Sequence, residues 1–299
     1  MSALNLDGII GYPVTPFTAD GERVAVDRLA ALVERLVADG CHAVAPLGST
    51  GESAYLDEHE WCEAAETSIA AVAGRVPTVV GIAELTTRSA VRRAQFAERA
   101  GASAVMVLPL SYWRLDEREI VRHYTEVAGA VDIEVMIYNN PATAGVDLSP
   151  ELMVSLVEKI ENVTMVKESS GDLGRMHRLF QLTGGELPFY NGSNPLALAA
   201  LMAGAAGWCT AAPCLIPGAT LELHRAVRAG DFETAFKVFQ QQLAVLQFIV
   251  RGGLPTTVKA GLALRGFDAG GPRRPLLPLD EERTAELSSL LAAVDAGRP

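Results

Sequence analysis

Long apolar runs, paired cysteines and a surplus of basic residues are all missing from this sequence. No uninterrupted apolar stretch approaches the roughly 20 residues that a membrane-spanning helix needs, so no membrane partner is expected. The opening MSALNLDGIIGYPVTPF has no basic segment leading into an apolar one, and no signal peptide is read there. The four cysteines, Cys41, Cys62, Cys209 and Cys214, show no CxxC spacing. They read as reduced, mostly buried thiols of a cytoplasmic protein. Neither they nor the five histidines have metal-ligand spacing, so no metal is expected. The net charge of −11 argues against nucleic acid or an acidic membrane surface, both of which need a basic face. Solubility alone accounts for that acidity.

Lysine is scarce as well. Only Lys159, Lys167, Lys237 and Lys259 stand among the 25 basic residues. An arginine-biased genome explains most of that imbalance, yet arginine cannot form an imine and lysine can. A lysine retained at a strand end in such a chain therefore calls for an explanation, and VTMVKESSG at 163–171 places one there.

What is present is an alternation. With 49% hydrophobic and 20% charged residues, the 299-residue chain can bury the core of one large α/β barrel. Short β-branched runs occur at 8–14, 42–47, 77–82, 103–109, 133–138, 162–167, 187–191 and 206–211. Their hydrophobicity is continuous rather than alternating, as in parallel strands covered on both faces. Amphipathic stretches lie between them at 26–39, 57–73, 86–100, 116–129, 149–160, 172–182 and 194–203. Thr86 or Thr87 and Ser149 before Pro150 are helix-starting residues, and Gly40, Gly74 and Gly101 are expected to close helices. The pattern predicts an α/β fold, a (β/α)₈ TIM barrel over 1–212, with a helical appendage over 213–299 containing helices near 218–229, 231–250 and 280–295. A further helix starts in 252–259. A doubly wound sheet would usually show a glycine-rich phosphate fingerprint after its first strand, where this chain has YPVTPF.

Barrel chemistry sits at the C-terminal ends of the strands, which selects candidates before any motif is considered. The second strand ends in PLGSTGES, where Gly48, Ser49, Thr50 and Gly51 form either a tight turn or a nest for one carboxylate. Glu52 beside them could orient the loop or cap the next helix, and no catalytic role is given to it. Tyr138 ends the fifth strand, as core packing with a wet tip or as a proton relay. Lys167 ends the sixth, as a snorkelling strand-end lysine or as an amine that loses hydration and attacks a ketone. Ser169, Gly192, Asn194 and Cys209, at the sixth, seventh and eighth strand ends, complete the candidate substrate-binding residues together with Thr143.

In order along the chain, GIIGYPVTPF, GSTGE, YNNPATAG, VKESSG and LPTTVKAGLALRGFDAGG resemble the dihydrodipicolinate synthase / N-acetylneuraminate lyase family. The resemblance covers nearly the whole chain. It implies a class I aldolase-like lyase, usually a homotetramer (a dimer of dimers), needing neither metal nor organic cofactor. It also implies that Lys167 forms a Schiff base, that Tyr138 relays the proton, and that Ser49 and Thr50 hold the carboxylate of a 2-oxo acid, with Thr50 counted among the catalytic residues beside Lys167 and Tyr138. Synthases of the family carry an arginine for a second carboxylate where this chain has Thr143, which argues against synthase activity. N-acetylneuraminate lyases place an acidic pair where Asn194 and Pro195 stand, which argues against sialic acid. An inter-subunit tyrosine follows the fourth strand in synthases, and Tyr112 lies one place off that position. Trp113 and Trp208 either line the outer pocket or simply pack.

The leading expectation is a lyase acting on pyruvate or a longer 2-oxo acid, by aldol cleavage or by loss of water or ammonia. One alternative is a dihydrodipicolinate synthase with an altered carboxylate clamp. Another is a non-catalytic 2-oxo acid sensor, although a pure binder has no need of a nucleophile.

Overall fold

The structure, a computed structural model, describes residue 4 and residues 6–297. Residues 1–3, 5, 298 and 299, at the ends of the two expected regions, lie outside the described residues.

Eight parallel strands form a nearly closed barrel, with neighbours in the order β2-β1-β8-β7-β6-β5-β4-β3. They are β1 (Gly8–Gly11), β2 (Ala43–Val44), β3 (Val79–Ala83), β4 (Ala104–Leu108), β5 (Glu134–Asn139), β6 (Val163–Glu168), β7 (Phe189–Asn191) and β8 (Gly207–Thr210). A parallel bridge from Val44 to Thr78 joins the two ends of the series. All eight expected strands are there. Their near-continuous burial follows from helices outside and packed side chains inside.

Helices α1 (Val26–Ala38), α2 (Glu58–Val72), α3 (Thr87–Ala100) and α4 (Glu117–Ala128) follow the first four strands. After β5 come a short helix, α5 (Pro141–Ala144), and then α6 (Pro150–Lys159). Next are α7 (Leu173–Thr183) and α8 (Ala197–Met202), and after β8 comes α9 (Pro217–Arg228), which packs beside β1. The C-terminal region is helical, with α10 (Phe232–Gly252), α11 (Leu254–Leu264) and α12 (Glu281–Asp295).

Local chemistry explains the boundaries. Thr86 caps α3 by accepting from the Ser89 amide, and Ser149 caps α6 by accepting from Leu152, with Pro150 opening the helix. Gly101 ends α3 in the left-handed region, as expected. The left-handed residue ending α2 is Ala73 (φ 51°) rather than Gly74 (φ 69°), which follows in the same region. Asp39 caps α1 in a right-handed conformation, and Gly40 (φ 101°) comes one residue later.

One close approach shapes the top of the barrel. A Cβ on Gly81 in β3 would lie 2.3 Å from the Leu47 carbonyl oxygen, so glycine there lets the loop after β2 cross the strand. That loop then carries its polar residues over the barrel mouth.

Candidate active site

Parallel pairing of β5 with β6 sets Tyr138 directly beside Lys167, and β6 with β7 sets Lys167 beside Tyr190. Both Tyr138 and Lys167 are buried. The Lys167 ammonium lies 3.9 Å from the centre of the Tyr138 ring. It also lies 4.0 Å from the ring of Tyr12, which follows β1. Sequence reasoning passed over Tyr12, because an aromatic at the end of an apolar strand reads as core.

The loop after β2 forms a 3₁₀ turn at Ser49–Gly51. Ser49 Oγ is 3.4 Å from the Tyr138 phenol oxygen. The Asn140 side-chain amide donates to that same oxygen at 3.0 Å, a second contact the sequence had not suggested. Burial pushes the Tyr138 phenol up. The positive charge of Lys167 and the hydrogen bonds with Ser49 and Asn140 outweigh burial and hold it below the ordinary tyrosine value. Tyr12 behaves oppositely, with burial driving it well above the ordinary value, reinforced by Cys209 and Tyr138. Its hydroxyl donates to Met106 Sδ at 3.1 Å. Two phenols flank one lysine, and their environments push them apart. Such splitting separates a group that exchanges protons from one that stays neutral.

The other candidates are distributed unevenly. Thr50 is buried within the turn, and the Gly51 carbonyl accepts from Thr15 Oγ1 at 2.6 Å. A Cβ on Gly48 would sit 3.0 Å from Tyr12 Cδ1, so this glycine seats the tyrosine ring. Ser169 Oγ is buried with no hydrogen-bond partner. It packs on Gly192, where an added Cβ would come 1.7 Å from Ser169 Oγ and 2.9 Å from Lys167 Cε. Cys209 is buried, and burial raises its thiol despite partial compensation by Lys167 and Tyr12. Asn194 is turned inward, its carbonyl oxygen accepting from Thr210 Oγ1 at 2.8 Å.

Four of the singled-out residues, Thr143, Tyr112, Trp113 and Trp208, stand apart. Thr143 is exposed on α5, with its hydroxyl donating to the Asn140 carbonyl at 3.4 Å. Tyr112 and Trp113, in the loop after β4, are 90% and 78% exposed and stack edge-to-face on each other. Trp208 is fully buried within β8, so of its two readings packing holds and pocket lining does not. Glu52 does not cap α2, since Asp57 does so by accepting from Glu60. Instead Glu52 (φ 56°) turns its carboxylate inward onto Lys259 of α11, Oε1 to Nζ 2.6 Å, and accepts from the Arg273 amide at 2.7 Å. Among the described residues no cluster of three or more His, Cys, Asp or Glu could hold a metal ion. No helix among them is long and apolar enough to cross a membrane.

The dihydrodipicolinate synthetase family matches residues 5–294 of the chain. The chain belongs to that family. A 4-hydroxy-tetrahydrodipicolinate synthase from Methanospirillum hungatei is 32% identical over 97% of this chain and 99% of its own. A second such synthase, from Halalkalibacterium halodurans, is 33% identical over 93% of this chain and 94% of its own. Among solved structures, a Pseudomonas aeruginosa protein provisionally described as a dihydrodipicolinate synthetase superposes with a TM-score of 0.95. It is 53% identical, covering 96% of this chain and 99% of its own. YagE, a family member from E. coli K12 solved with pyruvate, superposes at 0.91 with 29% identity, covering 97% of this chain and 98% of its own. A dihydrodipicolinate synthetase family member with a TIM barrel and a helical C-terminal region is an aldolase-like lyase.

Proposed function

We propose that this lyase captures a 2-oxo acid as a Schiff base on Lys167. The observation that carries this reading is the buried Lys167 amine lying against the ring of Tyr138, whose phenol is linked to Ser49 in the loop after β2. The amine adds to the ketone carbon, water leaves, and a cationic imine results. Ser49, Thr50 and the glycines at 48 and 51 hold the carboxylate, and Tyr138 moves the proton. The imine takes up the electron pair of the bond broken next to the former carbonyl. The resulting enamine is protonated, and hydrolysis frees the lysine. The unpartnered hydroxyl of Ser169 supports a substrate bearing a polar group beyond the ketone, such as a 4-hydroxy or deoxy 2-oxo acid. Thr143 offers no charge to a second carboxylate, which supports a mono-carboxylate substrate. Cleavage to pyruvate, dehydration and deamination all use this same imine.

A second reading is synthase activity, the activity for which the relatives are named, with Thr143 standing against it. The exposed Tyr112 and Trp113 support a contact between copies of the chain, as in a homotetramer, and a sizing measurement on wild type and Tyr112→Ser tests it. The central test is borohydride trapping with pyruvate. One pyruvate-derived mass is expected on the peptide containing Lys167. Absence of the adduct, or equal labelling of Lys167→Ala, overturns the proposal. Turnover of pyruvate with aspartate semialdehyde decides for synthase activity, and a screen of 2-oxo acids for pyruvate, ammonia or water loss identifies the alternatives.

A further inference from the structure

A buried ammonium normally has a carboxylate partner, because leaving water without one is costly. Lys167 has none. The neighbouring Glu168 is fully buried but faces away, bonded to Asn139 Nδ2 at 3.1 Å, to the Ser170 amide at 2.6 Å and to Arg175 Nε at 3.2 Å. What meets the Lys167 nitrogen is the ring of Tyr12, 4.0 Å to its centre, and the ring of Tyr138, 3.9 Å to its centre, with the Tyr138 hydroxyl also in hydrogen-bond contact. Both distances fall well inside the range in which a ring quadrupole attracts a cation, and Lys167 is buried, where that attraction is stronger than at an exposed site.

The position of Tyr12 is fixed from several sides. Its amide donates to the Thr210 carbonyl at 3.0 Å, its hydroxyl to Met106, and Gly48 leaves room for its ring edge. A group held this firmly, with its phenol kept neutral, acts through its ring face.

Granting the Schiff-base reading, we infer that Tyr12 is a catalytic residue: its ring face, together with that of Tyr138, keeps the imine nitrogen of Lys167 protonated. Only the cationic imine accepts the electron pair of the breaking bond. The neutral imine is no sink. A carboxylate at this place would stabilise the cation too, but it would repel the carboxylate of the incoming 2-oxo acid and could take the imine proton. A pair of rings does neither. The titratable groups facing the nitrogen are Tyr12 after β1, Tyr138 from β5 and Cys209 from β8. Burial keeps the first and last of these neutral, so charge at the nitrogen depends on the rings.

The test reads imine protonation directly rather than turnover, whose alkaline limb also contains Tyr138. Cyanoborohydride reduces the cationic imine and not the neutral one. Its trapping rate with saturating pyruvate is followed against pH in wild type, Tyr12→Phe, Tyr12→Leu and a series of fluorinated phenylalanines at position 12. Tyr12→Phe is expected to keep the alkaline limb in place. Tyr12→Leu should move it to lower pH by about one unit, a loss of protonated imine that approaches tenfold on the alkaline side of the wild-type limb. The fluorinated rings should move it stepwise in the same direction as their quadrupole weakens, and they decide the matter if the leucine variant does not fold. An alkaline limb that stays put across the leucine and fluorinated variants overturns the inference. Failure of the wild type to form any adduct overturns the Schiff-base reading instead.

Discussion

Asn140 donates its side-chain amide to the phenol oxygen of Tyr138 at 3.0 Å, and Ser49 meets that oxygen from the opposite loop at 3.4 Å. Both contacts favour the phenolate, and with Lys167 they outweigh burial. Losing the Asn140 donor should therefore raise the Tyr138 phenol. A hydrogen bond to a charged group is worth about 1.5–3 kcal/mol, so Asn140→Leu should move the midpoint up by roughly one to two pH units. Carbon-labelled tyrosine followed by NMR measures it. Tyr138→Phe, lacking the proton altogether, should lose on the order of 10² to 10⁴ in kcat while still forming the pyruvate adduct. An unmoved midpoint in Asn140→Leu would separate Asn140 from the chemistry.

The eight strands were legible because continuous apolar runs mark strands covered on both faces, and their polar ends marked Lys167, Tyr138 and the loop at 48–51. The same continuity hid Tyr12. A strand buried on both sides has no alternation to say which residues point into the barrel, so Tyr12 and Trp208 look alike in sequence. One reaches the lysine, and the other packs in the wall. Asn140 was hidden for another reason: it lies between the strand and α5, a single turn too short to show a period. The partner of Glu52 was hidden by distance along the chain, since Lys259 comes from a helix beyond the barrel strands.

Gly192 should be intolerant of a single methyl group. The added Cβ would overlap Ser169 Oγ, and the hydroxyl can rotate away, but Lys167 Cε at 2.9 Å cannot move without displacing the nitrogen. Gly192→Ala should cost about 1–3 kcal/mol of stability as overpacking, and at least about tenfold in the rate of pyruvate trapping, because misplacing a reacting atom is heavily penalised. Combining it with Ser169→Gly should recover stability more than trapping. Thermal unfolding and adduct formation together check the split, and equal recovery of both would show that only packing is at stake.

Thr143 occupies an exposed position on α5, so replacing it disturbs little of the core. Thr143→Arg should leave stability within about 0.5 kcal/mol. It should also lower KM severalfold for a 2-oxo acid carrying a second carboxylate, since a bidentate arginine–carboxylate contact is stronger than an ordinary exposed ion pair. KM for pyruvate should not change. Steady-state kinetics on matched mono- and dicarboxylates measures the difference, and a parallel change in both would place residue 143 away from the distal end of the substrate.

Glu52 and Lys259 form an ion pair sealed from water, with Nζ 2.6 Å from Oε1 and the two residues only 1% and 3% exposed. Burial pushes the Glu52 carboxyl up and the Lys259 ammonium down, and mutual attraction offsets each only in part. Such a pair adds little stability over apolar residues of the same volume, yet breaking it is expensive. Lys259→Met should cost about 3–5 kcal/mol by leaving the Glu52 carboxylate alone. That cost should shrink as pH falls, because a carboxyl raised in the folded state gains stability once it is protonated and loses it as pH rises through its folded value. Glu52→Gln in the Lys259→Met background should recover most of the stability at neutral pH. It should not recover the position of the loop. Glu52 holds left-handed backbone at φ 56° next to Ser49–Gly51, and its carboxylate ties that turn to α11 and to the Arg273 amide. The double variant should therefore regain its unfolding free energy while its KM for the 2-oxo acid stays raised. Denaturant unfolding across pH and steady-state kinetics on the single and double variants separate the two effects. Recovery of KM along with stability would mean that the pair packs the barrel without positioning the carboxylate loop.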